Sequence, residues 1–183
     1  MKVLSKNLLK ILKSFHHKKA GVFIDDSNLY YAQKEAGWRV DWGKLKKFLE
    51  KYCQILIYNY YAALPDKSDI NYKPTIKYLD YVKKAALVKV KPLKYVKTVK
   101  GVTVKKGDVD VEIVLDVVRN IDKLEVIFVV SGDSDYLELK NWVVFDKKKK
   151  IVFLALENNI AWELRQCWHI YLNRIREEIE LKK

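Results

Sequence analysis

Apolar residues in this 183-residue chain fall into short runs separated by stretches of helical spacing. Gly21-Val-Phe-Ile24 is a short apolar run that ends in Asp25-Asp26-Ser27-Asn28, the pattern of a strand followed by a helix start. Helical spacing continues from Leu29 to Ala36, and Gly37 stops it. Asp41 stands where it can cap a second helix carrying Leu45, Phe48 and Leu49. Ile55 to Leu64 predicts a second strand, residues 65–73 an exposed loop with a Pro-Asp turn, and Pro74 to Ala86 a helix. A strand follows at about Leu87 to Lys91. Residues 94–106 alternate and break at Lys100-Gly101, which predicts a lysine-rich β-hairpin. A helix from about Asp108 to Asn120 leads to Val126–Val130, an apolar run suited to a strand buried on both faces. That run ends in Ser131-Gly-Asp-Ser-Asp135, with a helix expected from there to about Phe145. Ile151 to Leu156 is the last core strand, and Ile160 to Leu181 is expected to form one long closing helix. This alternation predicts a three-layer α/β/α sandwich on a mostly parallel central sheet, with the hairpin as an insertion.

The first twenty residues alternate Lys with Leu and Ile. Leu4, Leu8, Leu9, Ile11, Leu12 and Phe15 lie largely on one face of a basic amphipathic helix. The expected division is therefore a helix at 1–19 and a single domain at 20–183. The apolar face is expected against the domain or a partner chain, with membrane-surface docking as the weaker option. No apolar run approaches the roughly 20 residues that cross a bilayer, and no signal-peptide pattern is present.

Composition narrows the picture. Six Gly and three Pro exclude a collagen-like or linker-dominated chain. Cys53 and Cys167 show no metal-binding spacing, and two unpaired cysteines fit a cytoplasmic protein. Lys and Arg total 36 against 23 Asp and Glu, a formal charge of +13. Arginine occurs only at Arg39, Arg119, Arg165, Arg174 and Arg176, so the excess is lysine. It suits a polyanionic partner, although drift toward lysine would produce the same count.

The acids carry more information. Asp25 follows the first strand directly, and Asp133 and Asp135 follow the most apolar one. Ligands of doubly wound sheets bind outside the carboxyl ends of the strands, where the winding reverses. If these two strands are neighbours there, the three carboxylates converge on one crevice. They would repel one another unless a cation joined them. An all-oxygen site without His or Cys suits Mg²⁺ or Mn²⁺. Any one of these residues could instead be a helix cap; the combination of two such clusters favours a site.

Three blocks, Phe23-Ile-Asp25-Asp-Ser-Asn28, Lys106-Gly-Asp-Val-Asp110-Val with Asp116 six residues on, and Val130-Ser-Gly-Asp133-Ser-Asp135-Tyr, together resemble the NYN domain. That family includes the LabA-like proteins and belongs to the PIN-like nuclease superfamily, whose fold is PIN-like and Rossmann-like. The resemblance spans roughly residues 20–172, and Trp38-Arg-Val-Asp41-Trp is similar to the segment leading into the family's second helix. It implies that Asp25, Asp110, Asp133 and Asp135 hold one or two Mg²⁺ or Mn²⁺ ions, which activate water and stabilise the leaving oxygen. It implies that Asn28 orients the cluster or contacts the scissile phosphate, with Ser27 and Ser131 hydrogen-bonded to the carboxylates. The chain departs from the family by one extra residue at Lys106–Val111, so either Asp108 or Asp110 is the ligand; Asp110 keeps the spacing to Asp116 and is favoured. Asp116 lies about 120° around the helix from Asp110 and need not reach the same ion. His169 stands where the family's closing helix often carries an aspartate, and is expected to be packed or solvated.

The hairpin lysines Lys94, Lys97, Lys100, Lys105 and Lys106, interleaved with Tyr95, are the expected nucleic-acid contacts, or else a solvated charged hairpin. The expected function is a metal-dependent endoribonuclease acting on single-stranded or structured RNA. The alternative is a non-catalytic RNA-binding or assembly module with the same fold. Gly132-Asp-Ser-Asp is also similar to haloacid-dehalogenase-like phosphatases, but those need a second Asp two residues after the nucleophile, where this chain has Ser27. A homodimer through the closing helix and the first helix is a further expectation.

Overall fold

Ala20, Val22 and Ile24 point to one side of the first strand and Phe23 to the other, and all four are buried. A strand covered on both faces requires helices on both sides of its sheet. The computed structural model, which describes residues 6–99 and 102–182, has that arrangement. Leu4 and the Lys100-Gly101 break of the hairpin lie outside the described residues.

The elements run α1 (Lys6–Lys13), β1 (Lys19–Asp25), α2 (Asp26–Ala36), α3 (Trp42–Glu50), β2 (Gln54–Leu64), α4 (Tyr72–Val82) and β3 (Leu87–Pro92). The hairpin β4 (Lys94–Lys97) and β5 (Thr103–Lys106) follows, then α5 (Asp110–Asn120) and β6 (Val126–Val130). The chain continues with α6 (Leu137–Asn141), β7 (Lys150–Ala155), α7 (Trp162–Arg165), β8 (His169–Tyr171) and α8 (Arg176–Ile179). Six strands form one sheet in the order β3-β2-β1-β6-β7-β8, every neighbouring pair parallel. The winding reverses between β1 and β6, which are hydrogen-bonded neighbours with Ile24 opposite Val130. The hairpin is a separate antiparallel pair.

Alternate residues of the central strands sort into two cores. Val22, Ile24, Phe128, Val130 and Leu154 pack with α1 to α4 and the C-terminal segment, whereas Phe23, Ile127, Val129 and Phe153 pack with α5 and α6. Gly37 ends α2 at φ 72°, a left-handed conformation that glycine adopts without steric cost. Asp41 caps α3 by accepting from the Lys44 amide at 3.0 Å. On α1, Leu12 is buried, and Phe15 just beyond it meets Phe128 edge to face at 5.5 Å. No helix among the described residues is long and apolar enough to cross a membrane.

The closing segment departs from expectation. Instead of one helix there are the short α7, the strand β8, a 3₁₀ turn at Leu172–Ile175 and the short α8. Trp168-His-Ile-Tyr171 is rich in strand formers, and His169–Tyr171 adds to the edge of the sheet opposite Phe153–Ala155. Ile170, Leu172, Ile175 and Ile179 then enter the α1–α4 core. The helix expected to reach Phe145 also differs: it begins as a 3₁₀ turn at Ser134–Tyr136 and ends as a π-helical turn at Trp142–Asp146. Both faces that the sequence offers for a homodimer carry side chains buried within the chain itself.

Candidate functional site

Asp25 is the last residue of β1 and the cap of α2, so its carboxylate sits where the sheet's winding reverses. It is 2% exposed. One oxygen accepts from Ser27 Oγ at 2.7 Å and the Asn28 amide at 3.2 Å. The other accepts from Ser131 Oγ at 3.1 Å and the Tyr136 hydroxyl at 3.2 Å. Capping and site formation are therefore one arrangement at this residue. Burial raises the Asp25 pKa, and its four hydrogen bonds oppose that shift without cancelling it.

The loop after β6 is fixed from several directions. Its Ser131 hydroxyl receives the Asp133 amide at 3.2 Å, and Asp133 in turn accepts from the Asp135 amide at 3.0 Å. Asn28 Oδ1 accepts from the Gly132 amide at 2.8 Å and from Asn159 Nδ2 at 2.7 Å, tying α2 to the loops after β6 and β7. A Cβ at position 132 would lie 2.2 Å from the Asn159 carbonyl oxygen, so only glycine permits this approach.

Asp110, the first residue of α5, completes the group. Its pKa is raised first by burial and then by the charges of Asp25 and Asp133, against a lowering hydrogen bond from Tyr136. The buried Tyr136 hydroxyl thus faces both Asp25 and Asp110, and burial with these two charges pushes its pKa far up. Of the two aspartates the sequence left open, Asp110 faces the cluster and Asp108 is exposed. Asp133 is half-buried and Asp135 exposed. Among the described residues, no lysine, arginine or histidine forms an ion pair with Asp25, Asp110, Asp133 or Asp135.

An all-carboxylate set that is destabilised by its own charge matches a hard divalent cation in donor chemistry. The spacing is looser: among the described residues, no three of His, Cys, Asp and Glu gather closely enough to hold a metal ion. Asp25 already accepts its full complement of hydrogen bonds, so a cation would displace one of those donors. The Ser131 and Tyr136 bonds to the second oxygen are both long ones.

Asp116, the hairpin lysines and His169 stand apart from this group. Asp116 is buried on α5, hydrogen-bonded by Tyr61 and Asn59 and ion-paired with Lys89, and Arg119 lies 3.8 Å away. Burial would raise its pKa, but Lys89 and Tyr61 hold it below the usual carboxylate range. It lines a cavity of about 180 Å³ between β3 and α5, together with Lys89, Lys91 and Arg119. Lys105 is paired with Asp69 at 2.6 Å, and the Tyr95 hydroxyl is held by Asp69 and the Asp66 amide. These contacts pin the hairpin to the 65–71 loop. Lys94, Lys97 and Lys106 are exposed without an ion-pair partner among the described residues. Lys100 lies outside them. His169 is on edge strand β8, three strands from β1, with Nδ1 2.9 Å from the Cys167 carbonyl oxygen.

Two contributors escaped the sequence reading. Tyr136 closes the Ser131–Asp135 block but gives no sign there of reaching Asp25. Asn159 follows the last core strand, and its only signal is an Asn pair at a carboxyl end.

Comparison with known proteins agrees with the fold. The chain is 28% identical over 172 residues to the Low amplitude and bright protein LabA of Synechococcus elongatus, an alignment covering 91% of this chain and 90% of that one. A crystal structure of a Vibrio parahaemolyticus protein of unknown function shares the fold, with a TM-score of 0.72 at 21% identity, over 91% of this chain and 98% of that one. The NYN domain matches residues 19–173, from the first residue of β1 to just beyond β8. The chain belongs to the NYN domain family.

Proposed function

We propose that this chain is a metal-dependent endoribonuclease that hydrolyses RNA phosphodiester bonds in the crevice at Asp25. The observation carrying this reading is that Asp25 and Asp133 lie near enough to Asp110 at the switch point for their charges to act on it, with no ion pair to any of the three among the described residues, in a chain of net charge +13. Membership of the NYN domain family, within the PIN-like nuclease superfamily, supports a nuclease-like role.

In this reading Asp25, Asp110, Asp133 and Asp135 would have to draw closer to hold Mg²⁺ or Mn²⁺, which would supply activated water and charge neutralisation at the leaving oxygen. Ser27 and Ser131 orient the Asp25 carboxylate through their hydroxyls. Asn28 fixes the Gly132 backbone, and thereby the position of Asp133. The unpaired hairpin lysines face the phosphate backbone. The working compartment is the cytoplasm.

The test is cleavage of labelled RNA by purified protein with Mn²⁺ or Mg²⁺, with EDTA, and with Asp25→Asn. Cleavage that needs the metal and is lost in the variant supports the proposal; none in any metal removes it. A second reading, a non-catalytic RNA-binding or assembly module, is favoured by the four hydrogen bonds that already occupy Asp25. RNA binding in EDTA without cleavage in any metal selects that reading.

A further inference from the structure

The core tyrosines use their hydroxyls. Tyr58 donates to the Trp42 carbonyl at 2.7 Å, Tyr60 to Asp26, Tyr61 to Asp116 and Tyr136 to Asp25. Tyr30 and Tyr31, adjacent on α2, differ. They are 49% and 73% exposed, and neither hydroxyl has a hydrogen-bond partner among the described residues. Their rings meet edge to face, centroids 5.2 Å apart and planes at 88°, so at most one ring face is covered by the pair itself.

Their position gives this exposure a meaning. The helix starts immediately after Asp25, and a rise of about 1.5 Å per residue places Tyr30 and Tyr31 roughly 7–9 Å along it. Helical side chains lean toward the N-terminus, so these rings extend back along the first turn of the helix, which begins next to Asp25. Lys105, held chiefly by Asp69, is close enough to Tyr31 to feel its hydroxyl. Cross-strand pairing puts Lys97 on the same hairpin face as Tyr95 and Lys105, and Lys97 is exposed.

We propose that Tyr30 and Tyr31 form a base-stacking platform that holds one or two unpaired nucleotides of a single-stranded nucleic acid beside the crevice, with Lys97 on its phosphates. The platform rests on the reading of the chain as an RNA-acting protein and works whether or not cleavage follows. Base faces are open to aromatic rings only where the strand is unpaired, so the platform selects single strands over duplex. The net charge of +13 favours a polyanion over a protein as the occupant.

The test is fluorescence anisotropy in EDTA with a labelled single-stranded RNA of mixed sequence and with its duplex. The wild type is expected to bind the single strand more tightly. Tyr30→Ala/Tyr31→Ala is expected to weaken single-strand binding by roughly 5- to 100-fold per stacked base, with duplex binding unchanged. Tyr30→Phe/Tyr31→Phe keeps the rings and retains binding. Tyr31→Ala alone, at the more exposed position, repeats the loss on a smaller scale. Phe145→Ala, an exposed ring ahead of β7 at the opposite end of the sheet, leaves binding unchanged. Wild-type affinity in the alanine variants, or equal losses with Phe and Ala, overturns the platform while leaving the nuclease reading standing. A wild type that binds no RNA overturns both.

Discussion

Asp110 and Asp116 lie less than two turns apart on α5 and meet opposite surroundings. Asp110 faces Asp25 and Asp133, its pKa is raised, and it has no ion-pair partner among the described residues. Asp116 faces Lys89, Tyr61 and Asn59, and is held below the usual range. Burial acts on both in the same direction, so the contrast comes from the neighbours. In a chain so rich in lysine, supplying a cation to an acid is easy, yet among the described residues none is ion-paired with Asp25, Asp110, Asp133 or Asp135. An acid provided with its cation fastens two elements together. Acids left without one form a place for something to bind.

The comparison is tested most severely by activity. Asp25→Asn is expected to lower RNA cleavage by about 10²–10³-fold, whereas Asp116→Asn, in the folded protein, leaves it within a few-fold. Equal losses would erase the distinction between the two regions.

The reverse asymmetry is expected in stability. Asp116→Ala removes the partner of Lys89 and of the Tyr61 hydroxyl, and a urea melt should show a loss of about 2–3 kcal/mol. That is less than the loss at a fully buried pair, because Lys89 is 40% exposed and can turn to water. Asp25→Asn should be far milder at neutral pH, since it removes a carboxylate whose burial already disfavours its charge.

Cation binding is expected to separate the two regions again. Mn²⁺ at ten times its Kd adds about 1.4 kcal/mol of stability, or a rise in Tm of about 3–6 °C for a chain of this length. Asp110→Asn should abolish this rise and Asp116→Asn should not. A rise in both variants would place the cation outside the crevice.

The smallest effect is in the pH dependence. Asp116 has a lowered folded pKa, so on acidification the unfolded chain takes up a proton first, and this contribution to stability is lost as pH falls through the folded value. Asp25 and Asp110 have raised folded values. Between those values and the ordinary carboxylate range the fold holds protons that the unfolded chain has released, so acidification favours the fold there. Urea midpoints against pH should therefore fall less steeply at the acid end in Asp116→Asn. A doubly substituted Asp25→Asn/Asp110→Asn should lose the gain seen on mild acidification.

Much of this was legible in the sequence, for local reasons. The run Val22-Phe-Ile24 ahead of Asp25, and Val126–Val130 ahead of Ser131, set two strand ends and the acids that follow them. Gly37 and Asp41 mark the end of one helix and the start of the next within a few residues of chain. The closing segment was misread because leucines and isoleucines in a charged stretch suit a helix, while the partner that makes residues 169–171 a strand is β7, sixteen positions earlier in register.

The sequence by itself determined the order of strands and helices as far as β7, the family, and the placing of aspartates at two strand ends, because caps, periodicity and apolar runs act over a few neighbouring residues. Only the tertiary structure decided which acids keep company. Tyr136 reaches Asp25 across 111 residues, Lys89 meets Asp116 across 27, and Lys105 meets Asp69 across 36. Whether a charge is paired depends on which groups the fold brings within a few ångströms, since electrostatic attraction fades quickly in water. A count of +13 therefore could not show that the lysines stop short of the crevice at Asp25.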